Sequence, residues 1–469
     1  MITMRLTVCG PLMLAVLCAL LTIAVHSAQA QTETVLYNFC SQPNCSDGSG
    51  SYSSLTPDGA GNFYGTTNNG GLGYGTVFEL SPNGGGGWNE AVLYSFTGGT
   101  DGANPNLSYV ITDSAGNLYG AANQGGGKGY GAIFELSPEP NAGCPSGSNT
   151  GNGWCESVLY SFTSTPDGAF PVSGLTWDQQ GNLYGTTFGG GNGSGAVYEL
   201  SPNGNGGWNE SVLYGFCSQP NCIDGGSPNG LVQATPGIFY GTTQAGGTYA
   251  FGTVFELGLQ SNGCPAGSYS GNGWCEAVVH NFAGHPADGR YPTGTPVLDG
   301  AGNIYGTTLH GGYSTCDYEL GCGTVWKLVP VAGGGYTEEI LHNFESGPAT
   351  VPCCYPTRLP HYPSAGVVLD SSGNIYGTTT YGGASSFCTN TGKNSYEGCG
   401  ELFEIIKQPS KRVAYKFETL WVFNWANGAN PVSALTFFEG NLYGTSYNGG
   451  PGASCPDVNG CGVAFEFTP

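Results

Sequence analysis

The dipeptide Tyr-Gly recurs at Tyr64, Tyr119, Tyr184, Tyr240, Tyr305, Tyr376 and Tyr443, each time opening a stretch such as Asn182-Leu183-Tyr184-Gly185-Thr186-Thr187. A sevenfold self-similarity with a mean spacing of about 63 residues marks a repeat architecture, in which each unit buries its apolar faces against its neighbours. Within a unit, four short β-type runs are separated by Gly, Asn, Asp or Pro, as at 173–178, 182–187, 195–200 and 211–216. Four strands per unit and seven units predict an all-β, seven-bladed β-propeller. The turn Asp-x-x-Gly-Asn (Asp113 to Asn117, Asp178 to Asn182, Asp299 to Asn303, Asp370 to Asn374) suits the hairpin between the first two strands. No apolar period of 3.6 runs through the chain after its first thirty residues, so essentially no helix is expected there. The opening run Thr34 to Phe39 reads as an outermost strand that precedes its own unit. It is expected to complete the last blade beside the strands between Ser433 and Phe467, closing the ring and removing free sheet edges.

Composition agrees with stacked blades buried on both faces. Only 9% of the 469 residues are charged, whereas 12% are aromatic. The 84 Gly and 29 Pro follow no Gly-X-Y period, which excludes collagen, and the aromatic content argues against disorder. A net charge of -22 excludes non-specific nucleic-acid binding and attraction to anionic lipid. Residues 1–30 carry Arg5, an apolar run from Leu12 to Val25 and Ala28-Gln29-Ala30, the pattern of a secretory signal peptide cut before Gln31. Neither Cys9 nor Cys18 has the small preceding residue of a lipoprotein signal. Residues 31–469 are therefore expected to form one exported, monomeric domain with no membrane insertion.

Phe63 to Leu80 and Ile304 to Leu328 contain Tyr-Gly-Thr-Thr, then Gly-Gly, then Gly-Thr-Val-Phe-Glu-Leu or its variant with Trp326 and Lys327. In these motifs the chain resembles the GloVer tandem repeat of exported bacterial proteins, and the similarity covers nearly everything after residue 30. The resemblance implies a propeller-type repeat carried with varied C-terminal surface anchors, and implies no catalytic residues. This chain departs from anchored members by ending at Phe467-Thr468-Pro469 without an apolar tail. The expectation is free secretion or periplasmic residence.

Sixteen cysteines after residue 30 fall into neighbouring pairs: Cys40 with Cys45, Cys144 with Cys155, Cys217 with Cys222, Cys264 with Cys275, Cys316 with Cys322, Cys353 with Cys354, Cys388 with Cys399, and Cys455 with Cys461. An even count, an export signal and loop-length spacing predict eight local disulfides that pin single loops rather than joining blades, each contributing about 2 to 3 kcal/mol. Most acids occupy repeat positions. Glu33, Glu90, Glu156, Glu210, Glu276, Glu338 and Glu418 lie on outer strands, and Glu79, Glu135, Glu199, Glu256, Glu404 and Glu466 on third strands. These read as charges that block edge-to-edge pairing. Asp47, Asp101, Asp167, Asp224 and Asp288 in Asp-Gly loops, and Asp58, Asp113, Asp178, Asp299 and Asp370 in hairpins, read as turn residues. Trp88, Trp154, Trp208 and Trp274, in register before outer strands, are expected to pack on their blades rather than on sugars. Gly70-Gly71 and Gly246-Gly247 precede no helix and cradle no phosphate.

Residues that depart from the repeat are the better guide to function. Chain direction places the loops between blades, and those joining second to third strands, on one face. There blades 5 and 6 gather His285, Arg290, His310, Asp317, Glu319, Arg358, His361, Lys393 and Glu397, beside the adjacent pair Cys353-Cys354. This sector is the expected ligand site. His280 and His342 replace the Tyr of outer strands and read as packing variants, and the basic segment Lys407 to Lys416 on the opposite face reads as a solvated insertion. His285, His310 and His361 lack the short spacing of a metal site, Asp317, Glu319 and Glu397 have no glycosidase motif behind them, and no nucleophile elbow is present. The expected function is binding of an extracellular glycan or surface protein without turnover and without a cofactor, calcium in an Asp-rich loop being open. The alternatives are a carbohydrate-active hydrolase or lyase on the same face, and a structural envelope or adhesion component.

Overall fold

The computed structural model describes residues 31–106, 108–139, 143–145, 149–259, 264, 267–313, 316, 320–345, 359–383, 398–408, 414–451 and 460–469. Seven antiparallel sheets follow one another along the chain and form a seven-bladed propeller. Blade 1 contains Thr56–Pro57, Phe63–Thr67, Thr76–Pro82 and Trp88–Ser95, from innermost to outermost strand. Blade 3 repeats this order with Ala169–Trp177, Leu183–Gly189, Ala196–Pro202 and Trp208–Gly215, and blade 5 with Gly289–Leu298, Ile304–Gly311, Thr324–Pro330 and Tyr336–Asn343. Blade 6 has Val368–Leu369, Ile375–Thr379, Glu401–Lys407 and Tyr415–Val422. The described residues hold no α-helix, only single 3-10 turns at Pro43–Cys45 and Pro220–Cys222.

Closure follows the sequence reading. The strand Thr32–Asn38 pairs antiparallel with Val463–Thr468, placing Thr32 opposite Thr468 and Asn38 opposite Val463, and so becomes the outer strand of blade 7. Blades 2 and 4 depart from four strands. Before their outer strands, Trp154–Ser161 and Trp274–Asn281, each adds a short fifth strand, Asn149–Gly151 or Tyr269–Gly271. Both additions sit in hairpins bound by the disulfides Cys144–Cys155 and Cys264–Cys275. At the hairpin tips, the side-chain amides of Asn152 and Asn272 donate to the Val92 and Val212 carbonyls of the preceding blade. Each of these two disulfides pins one hairpin, as expected, and the pinned hairpin in turn reaches the preceding blade. Cys40–Cys45, Cys217–Cys222 and Cys316–Cys322 are local bridges. Cys399 and Cys461 are disulfide-bonded as well, while Cys353, Cys354, Cys388 and Cys455 lie outside the described residues.

The Tyr-Gly motif has a packing cause. At Gly65, Gly120, Gly185, Gly241, Gly306, Gly377 and Gly444, a Cβ would fall less than 3.0 Å from the aromatic ring opposite it on the third strand, namely Phe78, Phe134, Tyr198, Phe255, Trp326, Phe403 and Phe465. Each of these rings is also met by a Phe that ends the outer strand of the preceding blade. Phe39, Phe96, Phe162 and Phe216 approach Phe78, Phe134, Tyr198 and Phe255 edge-on at centroid separations of 4.9 to 5.2 Å. Phe423 meets Phe465 in the same way at 5.0 Å. An edge-to-face contact presents positive ring edge to negative ring face and adds to the burial of both rings. One glycine, one ring and one preceding Phe thus make a cell of the core, repeated around the axis.

The carboxylates also do more than the repeat pattern suggested. Glu156 and Glu276 are wholly buried and Glu33, Glu90, Glu210 and Glu338 are partly so. Glu33, Glu90, Glu210, Glu276 and Glu338 face the junction with the neighbouring blade rather than protecting an edge. Burial pushes Glu90, Glu210 and Glu276 up to about 8, 7 and 9, with the negative charges of Asp47, Asp167 and Asp224 adding to the rise. Glu33 accepts a hydrogen bond from Asn427 across the closing junction. The third-strand Glu lie opposite the motif tyrosines, and Tyr240, Tyr376 and Tyr443 donate to Glu256, Glu404 and Glu466 at 2.6 to 2.9 Å. Hairpin Asp behave as expected: Asp113 Oδ1 accepts from the N–H groups of Ala115 and Asn117.

Candidate functional site

Six exposed aromatic side chains, Tyr74, Tyr130, Phe170, Phe188, Tyr249 and Tyr313, lie on the face carrying the blade-to-blade loops and the loops from second to third strands. Tyr249 and Tyr313 are the most open, at 53% and 68%. A repeated backbone device directs several side chains here. The residue before the proline that leads into the inner strand in blades 2 to 7 takes a left-handed conformation, with φ of 50° at Asn104, 59° at Phe170, 53° at Ser227, 57° at Tyr291, 58° at Tyr362 and 54° at Asn430. Its N–H is tied to the neighbouring loop, as in Tyr291 N–H to Phe251 O at 2.8 Å and Tyr362 N–H to Cys322 O at 3.0 Å. Asn tolerates such a φ, whereas a bulky ring there is strained by roughly 1 to 3 kcal/mol. Three of the six positions nevertheless carry an aromatic residue.

Two of these, Tyr291 and Tyr362, anchor a continuous row of rings across blades 4 to 6. Phe251 meets Tyr291 at 6.3 Å, Tyr291 meets His310 at 5.9 Å, and His310 meets Tyr362 at 4.9 Å. Tyr362 then meets His361 at 4.9 Å, and His361 stacks on Tyr381 at 5.7 Å. Tyr52 and Tyr447, 4.5 Å apart and tilted by 34°, continue the aromatic surface toward blades 7 and 1. The Arg290 guanidinium lies 4.1 Å from the Phe251 centroid and 4.4 Å from that of Tyr291, and donates to the Tyr291 hydroxyl at 2.7 Å. A planar cation held against two rings favours their electron-rich faces and fixes their orientation.

Four of the residues expected from sequence are thus located. Arg290, His310 and His361 belong to the row, and His285 stands beside it with Nδ1 2.8 Å from the Gly312 carbonyl. The His361 imidazole is 5% exposed, and burial holds it below its ordinary value against an opposing contribution from the Leu359 carbonyl, 3.0 Å from Nδ1. It is a packed ring. Asp317, Glu319, Arg358, Lys393 and Glu397 lie outside the described residues. Two groups of at least three metal-competent side chains occur among the described residues, Cys40 with Cys45 and Cys461, and His280 with Asp288 and Glu338. Neither contains His285, His310 or His361, and the three cysteines of the first are disulfide-bonded. His342 is indeed a packing ring, stacked on Phe417 at 3.9 Å and pushed down to about 4 by burial. His280 packs too, edge-on to Phe282 at 4.7 Å, and its Nε2 also faces two carboxylates.

Sequence reasoning missed Phe251, Tyr291, Tyr362 and Tyr381, because it searched for charged departures. The signal was available: at the residue before the inner-strand proline, blades 5 and 6 replace Asn or Ser with Tyr. It also missed a cavity of about 1110 Å³ along the axis, lined in part by Tyr52, Ser173, Thr295 and Ser433. Tyr109 lies across this axis against Gly174, where any side chain would collide with its ring. The tryptophans pack as expected, with Trp88 at 5.8 Å from Phe63, Trp208 at 6.4 Å from Trp177, and Trp274 at 6.0 Å from Phe239.

The family described as the Gloeobacter/Verrucomicrobia repeat matches residues 22–221 and 209–392, well over half of the sequence. The chain belongs to this repeat family. Among solved structures, a gluconolactonase of Xanthomonas campestris is similar at 12% identity over 76% of this chain and 82% of its own, with a TM-score of 0.36. The WD40 propeller domain of Doa1 is similar at 12% identity over 93% and 97%, with a TM-score of 0.43. An ancestral GH74 enzyme shares 12% identity over 88% of this chain and 51% of its own, with a TM-score of 0.46. No curated protein matches the sequence. No helix among the described residues of this repeat protein is long and apolar enough to cross a membrane, and its disulfides are compatible with a secreted or periplasmic location.

Proposed function

We propose that this repeat protein is an exported binding module that holds a glycan on the aromatic row of blades 4 to 6 without turning it over. The observation that carries the reading is the pair Tyr291 and Tyr362, bulky rings kept at φ of 57° and 58° where blades 2 and 7 place Asn and blade 4 places Ser. Strain maintained at a surface position points to a role for the side chain outside the fold. A ring at such a position offers a flat, rigid apolar face with a polar edge, and several in sequence suit a ligand of repeated flat units with hydroxyl rims, which is the chemistry of a polysaccharide.

The test is retention of the purified protein on an array of bacterial and plant polysaccharides, with supernatants assayed for released reducing or unsaturated ends. In the Tyr291→Asn/Tyr362→Asn double variant, Asn relieves the left-handed strain while the packing of Tyr362 and the Arg290 contact to Tyr291 are lost, so thermal unfolding is measured alongside and retention is compared per folded molecule. The variant should lose retention at least about tenfold, matching the roughly 1.4 kcal/mol or more that a stacked ring contributes. Retention unchanged in this variant would overturn the assignment of the site, and released sugar ends would overturn binding without turnover.

A further inference from the structure

We infer that His280, Asp288 and Glu338 form a zinc-type divalent metal site that clamps blade 4 to blade 5 at the rim of the propeller. The comparison with the other junctions carries this. Asp47, Asp101, Asp167 and Asp224 are each held by two side-chain hydroxyls: a Tyr of the outer strand (Tyr37, Tyr94, Tyr160 or Tyr214) and a Ser or Thr just after it (Ser41, Thr97, Thr163 or Ser218). At the junction of blades 4 and 5, both hydroxyls are absent. His280 stands where the Tyr should be and Ala283 where the Ser or Thr should be. Asp288 accepts from the backbone, from Ala283 N–H at 2.6 Å and Gly289 N–H at 2.5 Å, and its remaining side-chain neighbours are His280 and Glu338.

The two replacements leave an imidazole facing two carboxyl groups. His280 Nε2 lies 3.6 Å from Asp288 Oδ2 and 3.5 Å from Glu338 Oε1, and one donor atom from each residue lies within 4.8 Å of the others. Nε2 and Glu338 Oε1 are shut off from solvent without a hydrogen-bond partner. Separations of this size are too long for a hydrogen bond. They match the edge of a tetrahedron whose ligands lie about 2.1 Å from a central ion, roughly 3.4 Å. One imidazole nitrogen and two carboxylate oxygens are a borderline-hard donor set suited to zinc, with the fourth position left to water. The backbone N–H groups on Asp288 and the Phe282 ring, edge-on to His280 at 4.7 Å, hold two of the ligands in orientation. His280 comes from the outer strand of blade 4, Asp288 from the connecting loop and Glu338 from the outer strand of blade 5, so an ion there would join the blades directly.

Calorimetric titration of ZnCl2 into untagged, chelator-treated protein tests the site, with thermal unfolding followed with and without the metal. The wild type is expected to bind one equivalent and to unfold at a higher temperature when it is present. His280→Tyr restores the side chain of four other junctions, so it should fold, and its affinity should drop at least about 100-fold with no zinc-dependent shift in unfolding. Co2+ bound to the wild type should show the intense visible bands of a four-coordinate ion, absent in His280→Tyr. The site is overturned if the wild type takes up no zinc, or if His280→Tyr retains the same equivalent and the same shift.

Discussion

Gly120→Ala adds a single methyl group at the second residue of a Tyr-Gly pair. The new Cβ would stand 2.5 Å from Phe134 Cζ and 3.1 and 3.2 Å from its two Cε atoms, whereas ordinary contact begins near 3.4 Å. Ring or strand must therefore move by about 1 Å. The ring cannot swing freely, because Phe96 of the preceding blade packs on it edge-on at 5.2 Å. Nor can the strand, since Gly120 is paired directly with Phe134 in the middle of its sheet. Forcing a methylene-sized group into a packed core costs roughly 1 to 3 kcal/mol. Unfolding entropy near 2.1 cal/mol/K per residue makes one degree worth about 0.9 kcal/mol in a domain of this size, so Tm should fall by about 1 to 3 °C. Chemical denaturation resolves the same loss as a lower midpoint with unchanged slope. Gly59→Ala is the control, as its Cβ meets nothing within 4 Å and its backbone is outside the left-handed region. It should stay within about 0.5 kcal/mol of the wild type. The double variant Gly120→Ala/Phe134→Leu should cost less than the sum of its parts, because the narrower side chain makes room for the methyl. Equal effects of Gly59→Ala and Gly120→Ala, or strict additivity in the double variant, would refute the steric account of the repeat.

Two other outcomes follow from the junctions. Glu276 is raised from about 4.5 to about 9 by burial and then by Asp224, so the folded state keeps a proton that the unfolded chain releases. Its stabilising contribution is complete below about pH 4.5 and is lost as pH rises toward 9, and Glu90 and Glu210 add in the same direction; thermal unfolding should occur at a higher temperature at pH 5 than at pH 9, with a smaller difference in Glu276→Gln. Trp208→Ala should destabilise by about 3 kcal/mol or more by opening a cavity beside Trp177 and Tyr119, yet leave polysaccharide retention per folded molecule unchanged, which a binding assay on the refolded fraction measures.

The number of blades, their strand order and the closing strand at Thr32–Asn38 could all be read from the sequence, because Tyr-Gly and the Asp-x-x-Gly-Asn turn are local signals recurring in register. What could not be read depends on neighbours distant in sequence. Glu90 looks like an exposed edge charge until Asp47, in the junction before it, is seen beside it, and nothing local to Glu90 reports that distance. His280 and His342 occupy the same repeat position, yet one faces two carboxylates and the other a Phe ring, since the blade 6 junction has replaced its Asp-Gly loop. Tyr291 and Tyr362 were hidden for a different reason. They count as ordinary apolar residues by composition, and their importance lies in a backbone angle that residue type alone does not announce. His285, Arg290, His310 and His361 were found through their departure from the repeat, but the row they join is built mainly by the aromatic residues between them.

The pairing of Thr32–Asn38 with Val463–Thr468 also sets the timetable of assembly. Synthesis begins at the N-terminus, so the earliest strand of the propeller waits for the latest. Through the emergence of six blades its hydrogen-bonding edges stay without their native partner, and the ring exists only as an open arc with two unmatched ends. Ring formation is then a single late event at one seam, and a lesion in the last strand strands the first one too. A circular permutant that opens the chain between two other blades would move that seam and hand the waiting role to a different strand.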